Sequence, residues 1–371
     1  MRRSTSTKAL AVLTAGLFAA GTVPASAGTS GSDVSAQPLA AYTGTPVTVA
    51  DNLAGPLTFD VTETGVLYVG QATIGVLTRF TPGAAPVNLF SDPDLNTTGG
   101  DGLTGVSEKG GAVTWAETRR DAQGTAFSTD LKRRSVGGAI AQIADTFAYE
   151  QTHNPDSVKT YGILGLSATC LATLPDGLAP YTGIVDSHPY GTTIGSTGST
   201  YVADQRANAL LRIDSSGHIS TVAVLPSASF IITAAYAASL GLNSCVIGHK
   251  RVLEPGPTDV AIGPDGKLYV TTVPFIFPNS GPALGAVYRV SPKTGATTRV
   301  ASGLNGATSL AITPTGTIFV TELYRNRVTK ISNGIVTPYL SLTEPAAVEW
   351  ANGHLYVATN ISTYGKIVRL P

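Results

Sequence analysis

Two stretches of this 371-residue chain share a polar spacing. In VADQRAN, Asp204 is followed four residues on by Asn208; in VTELYRN, Glu322 is followed by Asn326. Each acid closes an alternating, strand-like run, and each Asn falls in the loop beyond it. Asp101, Asp186, His188, Glu254 and Glu344 stand ahead of similar runs, and Glu117 and Asn360 stand behind them. Carboxylates and amide oxygens gathered on one rim suit a hard cation such as Ca2+, which takes about six to eight oxygen ligands. Asp101, Asp186, Asp204 and Glu322 are the metal-ligand candidates; Glu117 and Glu254 complete the carboxylates available to a metal-dependent hydrolase or lyase. The same side chains have a plainer use, because acids and Asn at loop starts hydrogen-bond nearby backbone N–H groups.

Two further segments stand out, THNPD (residues 152–156) and VDSHPYG (residues 185–191). His153 and His188 are the acid–base candidates, since imidazole titrates near neutrality. A proline close behind each also suits a rigid turn in which the histidine only bonds locally. The chain contains no G-x-S-x-G nucleophile elbow, no phosphate loop and no zinc-type ligand spacing.

These groups must be positioned by strands. GPDGKLYVTT, TPTGTIFVTE and ANGHLYVATN write the same turn-and-strand three times, and looser copies precede them. Alternating apolar runs broken by Gly, Pro, Asn and Asp dominate, which marks an all-β chain. The repeat is a four-stranded antiparallel unit with an aromatic in its second strand: Tyr68, Trp115, Tyr201, Tyr269, Phe319 and Tyr356. The sixth copy stops after three strands, and an open edge is normally avoided. VTVADNL, residues 47–53, supplies the missing strand from the other end of the chain. Six units closed into a ring make a six-bladed β-propeller. Arginines on third strands (Arg79, Arg212, Arg289, Arg327, Arg369) are expected to make polar contacts between blades.

Long intervals between the aromatics mark insertions at about residues 149–181 and 226–255, and a smaller one at 274–285. Strands alternate up and down, so loops after second and fourth strands share one face, and all three insertions fall there. Ordered long loops are commonly functional. Residues 230–240 read as a short helix over the channel mouth. Cys170 and Cys245, the two cysteines, lie in neighbouring insertions and are expected to pair.

The N-terminus has a basic start (Arg2, Arg3, Lys8), a short apolar run and Ala25-Ser26-Ala27, the layout of a secretory signal peptide over residues 1–27. Residues 28–42 read as a flexible leader and 43–371 as the propeller. Lys and Arg total 24, as do Asp and Glu. Without the three cations of the signal peptide the net charge is −3, which argues against a nucleic-acid partner. No later segment is long and apolar enough to span a membrane.

AYEQTHNPD, IVDSHPYG and DVAIGPDGKLYVTT with GAVYRV resemble the secreted ScyD/ScyE family of β-propeller proteins, over about Ala41 to Pro371. His188 departs from the Asn expected in that motif. The resemblance implies export and an NHL- or SMP-30-like propeller; the family has no established reaction, so it supplies no catalytic residue. Lactonases on six-bladed propellers use a metal of the kind described above. The expectation is an exported monomeric binding module for a small molecule, glycan or extracellular protein, using the loop-rich face. Its ligand-binding candidates are Asp101, Glu117, Asp186, His188, Asp204, Glu254, Glu322, Asn326 and His153. The alternative is a Ca2+-dependent, lactonase-like hydrolase or a lyase at the channel mouth.

Overall fold

The repeated turns form hairpins because their residues accept left-handed backbone: Asn333 and Gly334 take φ of 51° and 77°, the pair a tight two-residue turn requires. The computed structural model describes residues 42–96, 102–121, 124–274 and 281–370. Within them the chain is all-β in layout, with seven four-stranded antiparallel sheets and a few short helices.

Six sheets have first strands Pro56–Val61, Leu103–Lys109, Pro189–Ile194, Pro257–Ile262, Ala307–Ile312 and Ala347–Ala351. Each first strand touches the next, and the last touches the first. The sixth sheet is completed by Val47–Leu53 alongside Gly365–Leu370, with Val47 opposite Arg369 and Leu53 opposite Gly365. The split unit read from the sequence therefore pairs as expected.

Apolar side chains fill the seams between adjacent sheets. Trp115, fully buried, packs with Tyr68, Leu77 and Leu103 between the first and second sheets, its ring 5.0 Å from that of Phe90. Burying a side chain of this kind contributes roughly 1.5–3 kcal/mol or more. Of the arginines expected to link blades, Arg212 bonds Ser199, Arg289 bonds Asp265 and Arg327 bonds Glu322, each within its own sheet, whereas Arg133, also on a third strand, reaches Thr200 of the next sheet at 2.9 Å. The cross-strand neighbour is simply nearer than the next sheet.

The seventh sheet corrects the expectation of six sheets with loops attached. Its order is Tyr181–Thr182, Thr160–Leu164, Lys250–Leu253, Ala228–Ile231, so both long insertions build it. Cys170 and Cys245 are disulfide-bonded, with Cα atoms 5.9 Å apart. This cap has its own core of Ile163, Cys170, Ile232, Tyr236, Ala237 and Val246. The helix expected over residues 230–240 is shorter, Ala234–Ser239, capped by the Thr233 hydroxyl, and packs in the cap core rather than over the channel. Phe230 and Ile231 are in a strand, as their bulky side chains favour. Of the third insertion, residues 275–280 lie outside the described residues.

The first long insertion opens with a helix, Thr146–His153. The Asp145 carboxylate accepts from the Ala148 N–H at 2.8 Å and starts it. Asn154 ends it at φ 34°, and Pro155 forbids its continuation. On the ring axis, the end facing the cap is closed by apolar packing of Leu57, Ala72, Tyr190, Leu323, Ala346 and Ile361. Deeper along the axis is a cavity of about 10 Å³ among Thr58, Thr192, Asp259, Ser309 and Glu349, room for about one water.

Candidate functional site

The paired spacing of acid and Asn proves to be a device for holding loops. Asp204 accepts from the Ser187 hydroxyl at 2.6 Å, the His188 N–H at 2.7 Å and the Ala207 N–H at 3.2 Å. Glu322 accepts from the Asn305 N–H at 2.8 Å and from Arg325 and Arg327 at 3.0 and 2.6 Å. Gln71, at the same place in the first sheet, takes the Ala54 N–H at 3.0 Å. Each of these side chains thus ties the end of a second strand to the loop entering its own sheet. The Asn reaches forward instead. Asn326, at φ 51°, accepts from the Glu344 N–H at 2.8 Å; Asn208, at φ 55°, accepts from the Gly256 N–H at 3.2 Å. Those N–H groups belong to the entry loop of the following sheet.

Glu117 lies not in a loop but inside the strand Ala112–Arg120. It is fully buried, accepts from the Trp115 indole N–H at 2.9 Å and pairs with Lys132 at 2.7 Å. The strand outruns its expected end because its pairing with the next strand continues to Arg120, opposite Ala126. Asp101 lies outside the described residues. No group of three or more His, Cys, Asp and Glu side chains among the described residues is arranged to hold a metal ion. The expected carboxylate ring at the channel mouth is not assembled by Glu117, Asp204 and Glu322, and the mouth itself is apolar.

The remaining candidates gather off the axis, beside the third sheet and beneath the cap. Asp186 lies between Arg120 at 3.6 Å and Arg206 at 3.7 Å. Glu254 accepts from the cap residue Tyr181 at 3.0 Å; burial raises its pKa, and that hydrogen bond opposes the rise. His188 is buried, its Nδ1 3.0 Å from the Gln205 side-chain oxygen and its ring edge-on to Tyr190. His153 is exposed at the helix end, stacked on Tyr149 with ring centroids 4.1 Å apart.

Other residues of this chamber were not among the candidates. Thr129, Thr146 and Ser187 form a closed set of hydroxyls at 2.7–2.9 Å, and Ser187 passes its proton toward Asp204. Asp156, fully buried, accepts from Tyr161 at 2.9 Å and Asn208 at 2.8 Å, joining cap to ring. Glu150, on the helix, is 1% exposed, and neither carboxyl oxygen has a hydrogen-bond partner among the described residues. Burial, then the nearby charges of Asp204, Asp156 and Asp186, push its pKa up to about 9. Burial also raises Asp156 and Asp204, and their hydrogen bonds oppose it. The sequence signal for Glu150 and Asp156 lay in AYEQTHNPD, where the histidine drew attention away from the acids on either side.

A second unforeseen set lines the channel. Asp60 accepts from the Glu108 N–H at 2.5 Å and the Val61 N–H at 2.7 Å. Asp259 accepts from the Ser309 hydroxyl at 2.7 Å and the Leu310 N–H at 3.0 Å. Burial lifts Asp60 to about 7 and Asp259 to about 6, and lifts Glu349 well above the carboxylate range.

Solved structures share this fold. The chain is similar to a gluconolactonase from Xanthomonas campestris, at 11% identity and TM-score 0.55, covering 89% of this chain and 91% of that one. It is also similar to an aldose sugar dehydrogenase from Streptomyces coelicolor in its PQQ-bound form, at 14% identity and TM-score 0.53, covering 90% and 98%. At such identities the likeness is one of fold, a β-propeller. No family model matches the chain, so its likeness to the ScyD/ScyE family rests on the motifs quoted above. No curated protein matches it either.

Proposed function

We propose that this chain is an exported six-bladed β-propeller, its seventh sheet a cap, that binds a small polar ligand on the cap-bearing face. The first 27 residues serve as its signal peptide, residues 28–42 as a leader and the rest as one domain. One observation carries this reading: two insertions from neighbouring sheets meet in one disulfide-closed sheet over a mixed-charge cluster, Asp186 with Arg120 and Arg206, and Glu254 with Tyr181. A covalently closed cap over charged groups is a costly structure to place on a face with no task. The test is a thermal-shift screen of sugars, sugar acids, lactones and amines on the mature protein. A ligand is expected to raise the melting temperature of the wild type and not of Arg206→Gln. Silence from the whole panel would leave an extracellular protein as the partner and remove the small-ligand reading.

A second reading, a hydrolase or lyase, is favoured by Glu150, a carboxyl held neutral at pH 7 beside Asp204 and so suited to donate a proton. A Ca2+ ion on the axis does not fit the residues there, because Asp204 and Glu322 are occupied by backbone N–H groups, a hydroxyl and arginines. Turnover of any lactone in the panel, abolished in Glu150→Gln, would select this reading; no turnover would dismiss it.

A further inference from the structure

Polar groups stitch the first strands of neighbouring sheets. Asp60 takes the Glu108 N–H at 2.5 Å between the first and second sheets, and Ser107 meets Thr192 at 2.7 Å between the second and third. Asp259 takes the Ser309 hydroxyl at 2.7 Å between the fourth and fifth, and Ser309 takes the Val348 N–H at 3.1 Å between the fifth and sixth. Between the sixth and the first the ring closes. There the inner strands Ala347–Ala351 and Pro56–Val61 share apolar packing of Phe59, Val61, Ala347 and Ala351, with no hydrogen bond between them among the described residues. The Asn352 N–H donates to Glu63 at 2.7 Å in the hairpin turns below.

Glu349 sits on this closing strand. It lines the axial cavity with Thr58, Phe59 and Asp259, and makes no hydrogen bond or ion pair among the described residues. It stands opposite Tyr356; the same place holds Ala261 opposite Tyr269 in the fourth sheet and Ala311 opposite Phe319 in the fifth. The strand therefore needs no carboxyl at that position. The strands packed against Ala347–Ala351 bring Asp60, Tyr356, His354 and Glu322, and neither lysine nor arginine. His354 is turned to the Leu370 carbonyl, with Nδ1 at 3.0 Å, and Glu322 to Arg325 and Arg327. Burial first, then the charges of Asp60 and Asp259, hold Glu349 well above the usual carboxylate range.

We propose that Glu349 is a pH-sensitive latch on the seam that closes the ring: as the neutral acid it lets the first and last sheets lie together, and on ionising it favours a seam opened to water. Inside, the carboxylate has two acids to avoid and no cation to meet, so opening the seam is how it gains solvent. The closed seam binds the proton more tightly than the open one. The latch is fully engaged at acid pH and loosens as pH rises, by up to about tenfold in the opening equilibrium per pH unit for one proton. It acts whatever the cap face binds.

The experiment is hydrogen exchange on the full mature chain at pH 7 and pH 9, corrected for the intrinsic rate. Residues 56–61 and 347–351 report the closing seam; residues 257–262 and 307–312 report the stitched seam between the fourth and fifth sheets. In the wild type, exchange at the closing seam is expected to rise more than tenfold beyond any rise at the stitched seam. Glu349→Gln should remove that excess, and so should Glu349→Ala, which installs the residue the fourth and fifth sheets carry. Equal responses of the two seams in the wild type overturn the proposal, as does an excess that survives either substitution. Failure of both variants to fold also overturns it, since the carboxyl would then be structural.

Discussion

The axial channel and the off-axis chamber both bury carboxylates, and they treat them in opposite ways. In the channel, Asp60 and Asp259 each reach the neighbouring sheet and take a backbone N–H there, from Glu108 and Leu310. Those N–H groups lie on inner strands, whose channel-facing edge has no further strand to bond. The acids act as stitches, and their pKa values of about 7 and about 6 measure burial opposed by good bonds. In the chamber, Glu150 is as deeply enclosed, has no such bond, and rises to about 9. A buried acid that holds backbone is architecture. The Glu150 carboxyl ties down nothing among the described residues.

The comparison can be broken most forcefully at the cap. Replacing Cys170 and Cys245 by serine frees a loop spanning 75 residues, a loss of about 4 kcal/mol in the chain-entropy estimate. Hydrogen exchange should rise around the chamber, in residues 146–164, and stay slow in the channel strands; equal loss in both would show that the two regions are one unit.

Next in size is Asp259→Ala, which removes the side-chain acceptor of the Val260 and Leu310 N–H groups and of the Ser309 hydroxyl. It should cost about 2–4 kcal/mol in denaturant unfolding. Glu150→Gln, assayed at pH 8, should cost nothing or stabilise. Like signs for the two would erase the contrast.

The pH dependence sharpens it further. A carboxyl whose pKa is raised on folding binds its proton more tightly in the native state. Its contribution is complete below the unfolded pKa and is lost as pH rises toward the folded value. For Glu150 that window runs from about 4.5 to about 9; for Asp60 and Asp259 it closes by about 7 and about 6. Stability of the protein should therefore fall as pH rises from about 4.5 to about 9, and Glu150→Gln should make that fall shallower across the whole interval, including above pH 7 where Asp60 and Asp259 no longer add to it. The smallest effect is expected from Asn326→Ala, which removes the acceptor for the Glu344 N–H and disfavours φ 51°, for about 1–2 kcal/mol. Asn326→Gly should recover part of that loss.

The ring sheets were legible because their signals are local: an alternating strand, a Gly or Asn turn, an aromatic in a fixed place. The missing last strand was legible for the same reason, since VTVADNL carries the pattern itself. The seventh sheet was not. Its strands are two to five residues long, and Gly162 meets its partner Val252 across 90 residues of chain. Among the site residues, Glu117 and Glu322 were recognisable as acids, but Lys132, Arg325 and Arg327, which occupy them, are set by strand pairing and helix turns. Glu150 sits among polar residues in a short helix, and nothing local distinguishes a helix glutamate facing inward from one facing water.

The union of Val47–Leu53 with Gly365–Leu370 carries a consequence for how the molecule is made. Val47–Leu53, made early, must wait for Gly365–Leu370 before the circle can shut. Until then it is an arc with two raw margins.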